Sequence, residues 1–407
     1  MTTHHGPAGA PAPAGAPHRA AGSGPGTPER PDPPHGGAPP DPSHAPPPGL
    51  PPGATGAPTS AHSVLNPSPH RPPPPQMIWR HGQQGLQAVS VWTERVPGRG
   101  EDAEPFIAHH LSTGQGLIAV FDGSGGAGSS PVWQAPDGET RTGAWVGSRV
   151  ARLATDCWFH DVVGEDEADT PDHLHAYLEH FLASAPQRRS KIVGKMRRQL
   201  PTTLAAVQYR MYEDNVLECQ ALWAGDSRAY VLLPQSGLHV LTRDHTEESD
   251  ALALLRSDPP MTNSVSADRE FYVDAERVTL ELPCVLLAAT DGFFGYVHTP
   301  AEFEYVLLKT LMRANDEFEW ADLIRRRVQD YTADDASLAL VALGYGDFAQ
   351  LRAAFSGRRA VVEELCLDGR PQGADQASAM RPWQEATWGA YRAGYETHLP
   401  PLSEERP

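Results

Sequence analysis

An α+β domain built in layers, preceded by a Pro-rich tail and followed by a helical extension, is the fold class this 407-residue sequence predicts. Short apolar runs of strand length recur from Leu86 to Gly344 and stop beyond residue 346. Neighbouring runs are separated by hairpin-length turns, EDN at 213–215 and PQSG at 234–237, so consecutive strands are expected to pair antiparallel. Helical periodicity clusters between groups of strands; a doubly wound parallel sheet would need a helix after each strand. These observations set the boundaries at 1–76 for the tail, 77–346 for the domain and 347–407 for the extension.

The tail is dominated by Pro, Gly, Ala, Ser and His and ends in HRPPPPQ. With almost no aliphatic residues beyond Ala it cannot offset its ordering entropy by burial, so it is expected to be disordered and partly polyproline II. Its histidines (His4, His5, His18, His35, His44, His62, His70) are too dispersed for a metal-loading arm and read as part of a solvated tail.

From Leu86, strands are expected in LQAVSVW, GLIAVFD, TTLAAVQYRMY, VLECQALWAG, SRAYVLL, RVTLEL, CVLLAATDG and ASLALVALG. Helices are expected over 143–159 and 172–185, where Leu174, Tyr177, Leu178, Phe181 and Leu182 share one face, and over 300–313 and 316–330. The extension holds one or two further helices, whose Trp383, Trp388, Tyr391 and Tyr395 are expected to pack back on the domain.

The formal charge of −18, from 33 Lys and Arg against 51 Asp and Glu, excludes a general binder of nucleic acid or anionic membrane, which needs a cationic face. Cys157, Cys219, Cys284 and Cys366 lie far apart without a C-x-x-C pair, which suggests neither a zinc site nor a disulfide framework. A reducing cytoplasm is the simplest setting. No basic segment followed by an apolar core opens the chain, and no stretch approaches the ~20 apolar residues of a spanning helix, so a soluble cytoplasmic protein is expected.

Carboxylates recur where apolar runs end. Glu101 and Asp102 sit side by side in a loop, Asp122 ends GLIAVFD, Asp291 ends CVLLAATD, and Asp334 and Asp335 open the run ASLALV. One Asp-Gly is ordinary turn chemistry, but two apolar runs that both end in Asp-Gly suggest a site. Oxygen ligands from several strand ends suit a hard cation, Mg²⁺ or Mn²⁺, with each glycine letting the backbone turn sharply and present its carbonyl. Two such ions ~3.5–4 Å apart would lower the pKa of a water and clamp phosphate oxygens. No G-x-S-x-G or Cys-centred phosphate loop offers a side-chain nucleophile instead.

Taken in order, ED at 101, VFDGSGG at 120, PTTLAAVQY at 201, WAGDSRAYVL at 223, LTRDHT at 241, LLAATDGFFG at 286 and DDASLALV at 334 resemble the motifs of the metal-dependent protein phosphatase (PPM, type 2C) family over roughly residues 86–345. The resemblance implies two packed antiparallel β-sheets flanked by helices, an α-β-β-α sandwich with a binuclear Mn²⁺/Mg²⁺ centre at one end. It implies that Asp122 bridges the ions, that Gly123 lends its carbonyl, that Asp291 and Asp334 hold one ion, and that Glu101 and Asp102 stand beside the other, partly through waters. Asp122 and Asp291 are thereby the implied catalytic residues, and a metal-bridging hydroxide the implied nucleophile. Asp335 takes a place usually held by Asn and is expected to support the ligands. GDSRAY and LTRDH are expected to serve packing and loop support more than chemistry.

The chain departs from that pattern in four places. Ser124 stands where some members carry His, and a serine hydroxyl is too weak an acid to protonate the leaving alkoxide. Pro97 stands where many carry a phosphate-gripping Arg; Arg95 and Arg99 flank it as substitutes, or as solvated loop arginines. No acidic residue lies between Phe181 and Tyr212, which puts a third ion in doubt, and Arg188, Arg189, Lys191, Lys195, Arg197 and Arg198 form either a solvated helix face or a basic rim for a phosphoprotein. The polar insertion 127–142 around Trp133 reads as a substrate-selecting lid or as an inert excursion.

The function expected is hydrolysis of phosphoserine and phosphothreonine on proteins, with a phosphoprotein and its kinase as partners, no nucleic acid and no membrane. A catalytically weak module that binds and regulates a partner is the alternative, and a hydrolase of small phosphoesters the third reading, since two-metal chemistry is indifferent to what carries the phosphate.

Overall fold

The computed structural model describes residues 77–136, 138–164, 170–185, 198–372 and 376–401. The tail through residue 76 and the basic run from Arg188 through Arg197 lie outside these. From Met77 on, the described residues form one compact unit.

In chain order the elements are β1 (Ile78–Gln83), β2 (Leu86–Thr93), β3 (Phe106–His110), β4 (Gln115–Val120), the single turn α1 (Gly125–Gly128), β5 (Pro131–Gln134), β6 (Thr140–Thr142), α2 (Gly143–Val162), α3 (Pro171–Ser184), β7 (Leu204–Met211), β8 (Val216–Ala224), β9 (Arg228–Leu233), β10 (Gly237–Val240), the single turn α4 (Ala251–Leu254), β11 (Asp274–Glu281), β12 (Cys284–Ala289), the single turn α5 (Asp291–Phe294), α6 (Pro300–Arg313), α7 (Glu317–Gln329), β13 (Ala336–Leu343), α8 (Phe348–Ala354), α9 (Ser356–Leu367) and α10 (Gln376–Tyr395). One sheet has six strands in the order β1-β2-β13-β12-β9-β10, the other five in the order β11-β8-β7-β4-β3, and every pairing is antiparallel.

Alternate residues explain why the central strands read as unbroken apolar runs. Ala336, Leu338, Leu340 and Ala342 of β13 face a core shared with α5–α10, while Ala339, Val341 and Leu343 face the other sheet. In β4, Leu117 and Ala119 pack with α2 and α3, while Ile118 and Val120 join the inter-sheet core. Both faces are covered, so neither can carry polar residues. The result is the expected order of helices, sheet, sheet, helices. Trp383, Trp388, Tyr391 and Tyr395 are 3–8% exposed, and the last three join the core with α6, so the extension does pack back.

Helix starts follow local chemistry. Thr142 accepts from the Trp145 amide at α2, Thr170 from His173 at α3, and Asp316 from Glu319 at α7. Five short strands, β1, β3, β5, β6 and β10, escape the sequence reading. β1 shows the reason: five of its six residues are exposed, so it has no apolar period. The insertion 127–142 is largely a hairpin, β5 with β6, seated on α2 by Trp133 stacked on Trp145 at 5.9 Å. Among the described residues, no helix is long and apolar enough to cross a membrane.

Candidate metal centre

The register of both sheets brings the carboxylates to one end. β12 runs into Thr290 and Asp291, and its partner β13 begins beside that point after Asp334 and Asp335. β2 pairs Thr93 with Ala336, so the loop after it, carrying Glu101 and Asp102, leaves from the same edge. In the other sheet, β4 ends at Val120 opposite Ala205, and β7 pairs Leu204 with Ala224, which places Asp122 and Asp226 together.

Each carboxylate is fixed by its neighbours. The backbone N–H of Glu101 donates to Asp335 Oδ2 at 2.6 Å and that of Arg95 to Asp335 Oδ1 at 2.7 Å, so Asp335 ties down the loop that carries Glu101. Arg149 of α2 reaches the carbonyls of Glu101 (3.0 Å) and Gly100 (3.2 Å), and Thr142 donates to Glu101 Oε1 at 2.5 Å. Thr290 Oγ1 accepts from Ser337 N at 2.9 Å and donates to Asp102 Oδ2 at 3.0 Å. The Asp122 carbonyl accepts from Thr202 Oγ1 (2.7 Å) and Thr203 N (2.8 Å), and Thr203 Oγ1 meets Ser227 Oγ at 2.6 Å. His245 Nδ1 accepts the Gly225 N–H at 3.0 Å and its Nε2 faces Asp274 at 3.0 Å, which secures the turn into Asp226.

Neither glycine after a site aspartate has a positive φ, so the expected sharp turn is not what each one serves. Both allow close approach. A Cβ on Gly123 would stand 2.5 Å from the Glu101 carbonyl and 2.9 Å from that of Ala144, and one on Gly292 would collide with the Asp335 carbonyl.

Crowding shows in the electrostatics. Burial, then Asp102 and Asp291, hold Asp122 well above the usual carboxylate range. Burial and then Asp334 push Asp291 up to about 6, against a hydrogen bond with Asp122 that pulls it down. Burial raises Asp102, with Asp335 next, and Glu101 also lies above its ordinary value through burial.

Asp226 belongs to this cluster, and sequence reasoning left it with the packing motifs. Burial and then Asp291 push it up to about 8, and its Oδ1 is buried without a hydrogen-bond partner among the described residues. The signal was present in ALWAGD, an apolar run ending in Asp like the other two, with its glycine before the acid.

A cavity of about 380 Å³ opens here, with Asp226, Asp291 and Asp334 on its floor. Leu254 to Pro259 form one wall and Phe294 to Tyr296 another; Tyr296 Oη donates to Asp334 Oδ2 at 3.3 Å. Arg228 and Arg256 also line it, and Arg228 is occupied by a two-point pair with Asp244 at 2.8 and 2.7 Å. Arg95 is exposed but close enough for its charge to act on Tyr296, and Arg99 is exposed as well. The β5–β6 hairpin is not among the cavity walls. Arg198, the described end of the basic run, donates to Ser264 Oγ.

An all-oxygen donor set, mutually raised carboxyls and the unpartnered Asp226 oxygen fit a hard divalent cation. Among the described residues, no three such side chains stand as a finished ligand shell; Asp122 and Asp291 are instead hydrogen-bonded to each other. A carboxyl whose pKa is higher folded than unfolded binds its proton more tightly in the fold, so its contribution to stability falls as pH rises between the two values. The metal-free protein is therefore expected to melt higher near pH ~5.5 than near pH ~8.5, the window set by Asp291 and Asp226, and saturating Mn²⁺ to flatten the difference. Thermal melts at both pH values, with and without metal, check this.

No family model matches the chain, and no curated protein matches it. Among solved structures, it is similar to the serine/threonine phosphatase PstP/Ppp of Mycobacterium tuberculosis (17% identity, 64% of this chain and 100% of that one, TM-score 0.44). It is also similar to the serine/threonine phosphatase Stp1 of Staphylococcus aureus (17%, 65% and 98%, 0.46) and to RsbX in complex with magnesium (15%, 66% and 100%, 0.39).

Proposed function

We propose that this chain is a metal-dependent phosphatase of the PPM type that hydrolyses phosphoserine and phosphothreonine on proteins. The observation that carries the reading is the convergence of Asp122, Asp226, Asp291 and Asp334 from four separate strand ends, and of Asp102 from the β2–β3 loop, onto one cluster, in a chain whose ordered motifs resemble that family. Asp122, the Gly123 carbonyl, Asp291 and Asp334 would hold two Mn²⁺ or Mg²⁺ ions, with Glu101 and Asp102 beside them and Asp226 as a further donor. When bound, the ions supply charge neutralisation for phosphate and a water acidic enough to act at neutral pH.

The chain's own residues orient and exclude. Asp335 and Arg149 fix the Glu101 loop, while Thr290 and Thr203 fix Asp102 and the Asp122 turn. Arg95, whose charge acts on Tyr296 of the cavity, or Arg99 would meet a phosphate oxygen. Ser124 cannot act as a general acid, so the leaving alkoxide takes its proton from water.

The test is release of phosphate from a phosphothreonine peptide with Mn²⁺, with Mg²⁺ and with chelator. Metal-dependent turnover is expected. Its absence, with partner binding retained, selects the regulatory module. A strong preference for small phosphoesters selects the third reading.

A further inference from the structure

The extension beyond residue 346 is not required to complete either sheet, yet α10 bonds to one wall of the cavity and to the segments that adjoin both. Asp250 caps α4, its Oδ1 accepting from the amides of Leu252 (3.0 Å) and Ala253 (2.9 Å). Its other oxygen, Oδ2, accepts from two residues of α10, Trp388 Nε1 at 3.1 Å and Arg392 Nη1 at 2.8 Å. The segment that follows α4 is the first wall. Arg256, on that wall, donates to Gln384 Oε1 at 3.1 Å and to Glu385 Oε1 at 3.3 Å. Gln384 also reaches past the second wall: its Nε2 donates at 2.9 Å to the carbonyl of His298, two residues after Tyr296.

The helix that makes these contacts is itself firmly held. Tyr391 Oη donates at 2.7 Å to Glu304, which is fully buried and paired with Arg358 of α9 at 2.6 Å. Tyr395 Oη accepts from Arg228, a residue that lines the cavity, at 3.4 Å. A rigid helix bonded to two loops fixes the distance between them.

We infer that α10 is a strap behind the carboxylate cavity, with Gln384, Trp388 and Arg392 as positioning residues that tie together the segments carrying its two walls and hold them at the spacing a phosphorylated protein segment needs. This rests on the phosphatase reading for its substrate; the strap itself rests on the contacts alone. A small phosphoester has no flanking chain to lie along the walls. A peptide flanking its phosphate residue must lie against them, so the strap acts on peptide binding and leaves the chemistry to the floor.

The experiment uses the full chain and the double variant Gln384→Ala/Arg392→Ala, which keeps the apolar anchors Trp388, Tyr391 and Tyr395. Amide exchange at 251–259 and 294–298 is expected to quicken about tenfold, with β12 and β13 unchanged. With Mn²⁺, KM for a phosphothreonine peptide is expected to rise about fivefold or more, while kcat for p-nitrophenyl phosphate stays within about twofold. Arg392→Lys alone, which keeps a cation opposite Asp250, should restore most of the exchange protection. Unchanged exchange, or quickened exchange with an unchanged peptide KM, would overturn the proposal, as would equal losses on both substrates. If the unmodified chain hydrolyses neither substrate, the phosphatase reading fails and the exchange result alone decides the strap: upheld if quickened, overturned if not.

Discussion

Asp122→Asn is expected to lower phosphate release by about a thousandfold or more while raising the melting temperature of the metal-free protein. The residue stands where the end of β4 meets the Glu101 loop, and Asp102, Asp291, Asp226 and Asp334 all act on its charge. An amide keeps the size and one acceptor oxygen but removes the anionic ligand, so a cation bound there loses charge compensation. The same change removes the most crowded carboxylate from a cluster whose members raise one another's pKa, so the fold gains what catalysis loses. A rise of about 2–5 °C in chelator is the expected scale for a gain near 1 kcal/mol. Asp291→Asn should behave alike, with a smaller gain because its carboxyl is displaced only to about 6. Near-normal turnover of either variant at saturating Mn²⁺ would remove the binuclear assignment. A lower melting temperature would show that the Asp122–Asp291 hydrogen bond outweighs their repulsion.

The opposite signs expected for activity and stability trace back to what the sequence makes legible. Asp122 and Asp291 stand out because each follows a run buried on both faces, where a charge has no structural use. Asp334 and Asp335 adjoin such a run, but only the fold separates them: Asp335 spends both oxygens on backbone amides, while Asp334 lines the cavity. Asp226 is harder to read, since its motif looks like loop support and its neighbours Ser227, Arg228 and Asp244 do serve that purpose. Only the pairing of β7 with β8 and of β7 with β4 puts it beside Asp122, and sheet order is a long-range property that local pattern does not carry. The edge strands fail for a related reason: β1 is held by pairing with β2 while its side chains face solvent. The same holds for α10. Its aromatic spacing announces a packed helix, but its reach to Asp250, Arg256 and His298 depends on where two distant loops end.

Arg228→Ala is expected to cost about 3–5 kcal/mol of stability, more than a typical core truncation to a smaller apolar residue. The Arg228 and Asp244 side chains are 5% and 7% exposed and meet in a two-point pair, and the guanidinium also lies over Phe294 at 4.3 Å. Burial alone pulls the guanidinium pKa down, but Asp244 beside it holds it well above its ordinary value. Truncation would leave Asp244 charged and buried, facing Asp226, whose carboxyl that charge already pushes upward. The penalty is therefore that of an orphaned anion and exceeds what the pair itself contributes. That distinction can be measured. Arg228→Met/Asp244→Leu removes both charges, keeps much of the volume and is expected to recover most of the loss in urea denaturation, whereas Asp244→Ala alone should be nearly as damaging as Arg228→Ala because it strands the cation. A loss below about 1 kcal/mol for Arg228→Ala would place the pair among solvent-screened ion pairs, and the floor of the cavity would then rest on Phe294 and Tyr395 without it.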